Sequence, residues 1–151
     1  MAKFKFRLKT VLNVKELKKR QAVVDYAELS RRLEIQQEVL NDIKTKSQEI
    51  ASLMMNQTSK GIKASDIKIH AAFLRRMDKE IKNQSRVVDE INYEKKNMQA
   101  ALFKLHNEVG VLESLKQRKQ ADFLYELGKQ EEKKVDEYIN YSISKISKSF
   151  V

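Results

Sequence analysis

The sequence predicts an all-α protein: an antiparallel two-helix coiled-coil hairpin with a longer C-terminal helix. Three observations carry that expectation. First, between Ile67 and Leu112, spacings of three and four residues pick out Ile67, His70, Leu74, Met77, Ile81, Gln84, Val88, Ile91, Lys95, Met98, Leu102, Leu105, Val109 and Leu112. Eleven of these fourteen are apolar, which marks a helix that buries one narrow seam against another helix. Second, a matching line runs through Ala22, Tyr26, Leu29, Leu33, Gln36, Leu40, Ile43, Ser47, Ile50 and Met54. Third, the segment 56–65 between them loses the period and holds Gly61 among polar residues, the composition of a turn.

The composition of the 151 residues supports helices over a compact globule. Pro and Trp are absent, Gly occurs three times, 34% of residues are charged and 41% are hydrophobic. That is enough apolar material for a seam and thin for a layered core. Without Cys there is neither a disulfide framework nor a thiolate metal site, as in a reducing compartment. No apolar run reaches the roughly 18 residues of a membrane span, and the basic opening lacks the apolar stretch of a signal peptide. The formal charge of +10 favours acidic partners of some kind.

Residues 1–7 alternate Lys or Arg with Phe4 and Phe6. With no second strand to pair with, they are expected to form an arm leading into helix 1, either solvated or used for docking, since exposed Phe is costly to leave wet. Helix 1 is expected over about 8–55. Traced backward from Ala22, its line meets Lys19 and Lys15 before Leu12 and Leu8, while Val11, Val14 and Leu17 fall off it. A slip of the repeat near Arg20 is therefore expected. The turn spans about 56–65, with Ser65 as cap and Asp66 in the first turn of helix 2. Helix 2 is expected over about 66–138, with Gly110 and Gly128 tolerated at roughly 1 kcal/mol each. The hairpin as a whole is expected to occupy 1–141, and the Ser-rich 142–151 to fray.

Folding at Gly61 sets Ile50 against Leu74, Leu33 against Ile91 and Tyr26 against Met98, and lets Gln36 and Gln84 bond diagonally. Lys95 faces Leu29 with room to lift its ammonium outward. Helix 2 is long enough to outrun helix 1 at the open end by roughly 25 to 30 residues. There, after about Gln117, Phe123, Leu124, Tyr125 and Tyr138 are expected to lack an intramolecular partner. Near the turn, Phe73 falls just outside the seam.

No catalytic constellation emerges. His70 and His106 are the only histidines and are too far apart on one helix to share a metal. No nucleophile–base arrangement or phosphate-cradling loop is present, and a two-helix pair offers no concave pocket to desolvate a carboxylate. The expectation is a non-enzyme with no cofactor and no metal. Nucleic-acid binding is disfavoured, because basic and acidic residues mix beyond the N-terminal segment and no aromatic groove exists for stacking bases. A generic coiled-coil scaffold is the other alternative.

Three stretches resemble the FliJ family of flagellar type III export proteins. Phe4-Lys5-Phe6-Arg7-Leu8-Lys9-Thr10-Val11-Leu12 is similar to the family's N-terminal F-x-F-R-L-x-x-V-L stretch. Phe73-Leu74-Arg75-Arg76-Met77-Asp78-Lys79-Glu80-Ile81 resembles the start of its second helix, and Glu132-Lys133-Lys134-Val135-Asp136-Glu137-Tyr138 its late K-K-x-D-E-aromatic signature. The resemblance implies a two-helix coiled coil similar to the gamma stalk of rotary ATP synthases. It further implies insertion into the flagellar export ATPase hexamer and contact with a membrane protein of the export gate and with export chaperones. The expected location is the cytoplasm, peripheral to the membrane through partners only. Carried onto this chain, the ATPase contact falls on Lys5, Arg7, Leu8, Leu12, Phe123, Leu124, Lys134, Asp136 and Tyr138, and the gate contact on Phe73, Arg76 and Met77.

Overall fold

The computed structural model describes residues 2–150. It contains two helices, α1 (Lys9–Ser59) and α2 (Ala64–Ser149), packed against each other, and no strand among the described residues. Contacts group the chain into two compact units: Lys19–Lys104, and Met1–Lys18 together with Leu105–Val151. Among the described residues no helix is long and apolar enough to cross a membrane.

In the Lys19–Lys104 unit the seven-residue line read from sequence is the line of burial. Every seam residue from Ala22 to Met54 on α1, and from Ile67 to Leu102 on α2, is buried or half-buried. Leu33, Leu40, Val88 and Ile91 form a buried cluster, with Ile81 packed against it. The glutamines bond as expected: Gln84 Nε2 donates to Gln36 Oε1 at 2.7 Å and to the Gln36 carbonyl at 3.0 Å. One amide thus satisfies a polar interruption of the seam that would otherwise weaken it. Lys95, also on the seam, lifts its Nζ to 5.4 Å from the centroid of the Tyr26 ring, a cation–π contact that keeps the charge out of the apolar layer.

The turn is shorter than expected. α1 continues past Met55 to Ser59, and in its exposed last turn the Thr58 and Ser59 hydroxyls donate to the carbonyls of Met54 (2.7 Å) and Asn56 (2.7 Å). The Lys60 and Gly61 amides then bond back to the carbonyls of Gln57 and Thr58, tightening the end. Gly61 takes φ +83°, and residues 60–63 complete the reversal. Ser65 is not the cap: α2 starts at Ala64, and the Lys63 carbonyl accepts from the amides of Asp66 (3.1 Å) and Ile67 (3.2 Å). Asp66 does lie in the first turn. A Cβ at Gly61 would meet no atom within 4 Å, so Gly61→Ala carries only backbone strain, about 1–2 kcal/mol. Gly110 has the same open surroundings inside a helix, so Gly110→Ala is expected to stabilise by about 1 kcal/mol. Thermal melts of the two variants should therefore move in opposite directions.

The expected slip near Arg20 does not occur. Leu12 is buried at 4% exposure and Lys15 and Lys19 are half-buried, whereas Val11, Val14 and Leu17 are exposed. The line of burial passes straight through the two lysines. Lys15 Nζ meets Glu108 Oε2 at 2.7 Å, both side chains being one-third exposed (32%). The aliphatic stem covers the seam while the ammonium is paired at its rim, a geometry that a tracing of apolar letters alone misreads as a gap. On α2, in the unit that holds Lys15 and Glu108, Leu105, Val109 and Leu112 are buried or half-buried.

α2 also extends beyond the expected end near Tyr138, to Ser149. No Pro or Gly interrupts this stretch. Ser144, Ser147 and Ser149 each donate a hydroxyl to the carbonyl three residues earlier, so the serines that suggested fraying lie within the helix. Val151 lies outside the described residues.

Candidate partner-binding surfaces

The first surface grows from the alternation at the start of the chain. Burial along this segment follows the alternation of residue types. Phe4 and Phe6 are accordingly half-buried, while Lys3, Lys5 and Arg7 are exposed. The segment is not helical, and it enters α1 through backbone bonds from the Lys9 amide to the Phe6 carbonyl (3.1 Å) and from the Leu12 amide to the Leu8 carbonyl (2.9 Å). Its apolar side meets α2: the Phe4 and Phe123 rings lie 5.7 Å apart between centroids, tilted by 49°, within the range of a favourable aromatic pair. Phe4, Phe6, Leu8, Leu115 and Phe123 form the apolar walls of an open groove of about 860 Å³, and Lys3, Lys5, Arg7 and Lys119 complete its lining.

Phe123 therefore has an intramolecular partner, against expectation. The sequence does not place the arm, because an alternation of apolar and basic residues does not say which element covers the apolar side. Of the residues expected to contact the ATPase, the groove brings together Lys5, Arg7, Leu8 and Phe123. Leu12 is a packing residue with almost no surface to offer. Leu124, Lys134, Asp136 and Tyr138 are exposed on α2 outside the groove. Tyr125 is exposed as well, with Lys129 Nζ 4.6 Å from its ring centroid.

Along this part of α2 the sequence hid a second order. Leu124, Val135 and Ile146 recur at intervals of eleven residues, and so do Gly128, Ile139 and Phe150. The apolar members are all exposed, from Ile139 at 47% to Phe150 at 84%. An eleven-residue period keeps one face of a helix apolar, whereas a search for sevens finds only scattered marks.

The second surface lies near the turn. Phe73 is exposed, and Arg76 holds its guanidinium Nε 3.7 Å from Glu80 with most of its side chain in solvent. Met77, expected beside them in the gate contact, is buried at 6% exposure and packs in the seam. Met54, Met55 and Leu74 line a groove of about 580 Å³ with Ala51, Thr58 and Ser59. Met55 lies off the seam and is 75% exposed. The Met54-Met55 pair just ahead of the turn was the available signal, since thioether side chains adapt to varied apolar partners.

Among the described residues no group of three or more His, Asp or Glu is placed to hold a metal ion. No curated protein matches the chain, and no solved structure does. The family model for the flagellar FliJ protein matches residues 4–146, nearly the whole of the sequence, and the chain accordingly belongs to the FliJ family of flagellar, export-associated proteins.

Proposed function

We infer that the protein is a stalk-type component of the flagellar type III export apparatus. It inserts into the hexameric export ATPase, promotes ring assembly and ATP hydrolysis, and links the ring to the membrane export gate and to export chaperones. It works in the cytoplasm and reaches the membrane only through those partners.

The observation that carries this reading is the unpartnered length of α2. From Gly128 to Tyr141 every residue is exposed, including Val135, Tyr138 and Ile139. Apolar surface of this extent on a helix is expected to be covered by a partner, and the inner wall of a ring offers a surround to one helix. Phe73 and Arg76 supply the gate-facing contact, with Met77 supporting them from the seam.

The test is ATP hydrolysis by the purified flagellar export ATPase titrated with this protein. A dose-dependent rise is expected, reduced when Leu124 and Tyr138 are both changed to Ala. No stimulation at a saturating ratio overturns the reading.

A further inference from the structure

We propose that the groove between the arm and α2 is a docking site for an acidic amphipathic helix of a protein partner. Three observations on the unit containing it support the assignment. The groove has five apolar wall residues from two separate segments of chain, and its volume of about 860 Å³ lies in the range of sites that bury a ligand's side chains. Four lining residues are cations, Lys3, Lys5, Arg7 and Lys119, and no carboxylate is among the described lining residues. The charges are exposed while Phe4, Phe6, Leu115 and Phe123 are half-buried and Leu8, 37% exposed, stands at the edge, which separates an apolar floor from a basic rim.

That arrangement fits one chemistry. A helix presenting Leu-like side chains at i, i+3, i+4 and i+7 would fill the floor, as in other helix-in-groove complexes. Carboxylates flanking its apolar stripe would meet the cations of the rim. Complementary charge of this kind sets partner choice and speeds encounter more than it adds affinity. A lipid surface fits less well. A membrane-inserting arm would turn its aromatic rings outward, whereas Phe4 is engaged with Phe123 and Phe6 is half-buried.

The inference shares Lys5, Arg7, Leu8 and Phe123 with the ATPase contact assigned above but stands on the groove itself. The experiment uses the full chain and a fluorescein-labelled helical peptide with Leu at those spacings and Glu at the flanks. Its controls are a twin peptide with Lys in place of Glu, and phosphatidylglycerol–phosphatidylcholine vesicles. The Glu peptide is expected to bind, to weaken between roughly 50 and 300 mM salt, and to lose about tenfold in affinity against Arg7→Glu/Lys119→Glu. Both substituted side chains are exposed, so helicity by circular dichroism should not change. Equal binding of the Lys peptide, an undiminished affinity in the double variant, or binding of the vesicles in preference to the Glu peptide each overturns the proposal. Peptide binding without ATPase stimulation refutes the stalk reading alone; stimulation without peptide binding refutes the groove alone.

Discussion

Leu33→Asp is expected to destabilise the Lys19–Lys104 unit by about 3–5 kcal/mol, through lost apolar burial and a carboxylate forced toward an apolar layer. Leu33 is 7% exposed and belongs to the cluster with Leu40, Val88 and Ile91. None of these neighbours can donate a hydrogen bond from its side chain. In a chain of this size the loss corresponds to a fall in melting temperature of roughly 10 °C or more. Leu53→Asp makes the same chemical change at a residue that is 50% exposed, where the effect should stay within about 0.5 kcal/mol. Thermal melts followed by helical ellipticity check the pair. Equal shifts in the two variants would show that Leu33 does not lie on a buried seam.

Phe123→Ala is expected to release the arm without melting the helices. The Phe4–Phe123 ring pair contributes about 0.5–1.5 kcal/mol, and loss of the half-buried ring adds about another 1 kcal/mol. A change of about 2 kcal/mol raises the detached population of the arm roughly thirtyfold. Trypsin cleavage after Lys3, Lys5 and Arg7 should accelerate accordingly, because cleavage follows the open population when opening is fast. The global melting temperature should move by only about 2 °C, since the arm is a small, locally opening element. Tyr138→Ala, at a residue 72% exposed and outside the groove, should leave the cleavage rate unchanged. Unaltered cleavage in Phe123→Ala would mean that the ring contact does not hold the arm.

The helices and their buried faces were legible because a seam has only one requirement, apolar or amphipathic side chains at a fixed spacing, and α1 and α2 meet it from Ala22 and Ile67 onward. The diagonal Gln36–Gln84 bond was legible for the same reason: two amides on facing seams in neighbouring layers can reach each other. What escaped was governed by parts of side chains rather than by residue type. Lys15 and Lys19 count as polar letters, yet their methylene stems serve the seam. Ser144, Ser147 and Ser149 read as loop formers, yet each hydroxyl bonds within its own helix. Met77 was legible as a seam residue from its place on the seven-residue line, and it is buried there. The arm lay beyond periodicity altogether, since a two-residue alternation says which side is apolar and not what lies beneath it.

The seven-residue row on α2 and the eleven-residue row that ends just past the helix follow different clocks, and that sets what can lie along each. A row repeating every seven residues falls short of two whole turns and drifts around the cylinder, so a companion must wind left-handedly to stay in register. A row repeating every eleven exceeds three turns' worth at the ideal pitch by a little and drifts the other way. From Leu124 to Phe150, a companion must therefore run nearly straight or coil gently to the right. A helix wound left-handedly to follow a seven-residue seam could not simply be lengthened to cover that row; it would peel away within a few turns.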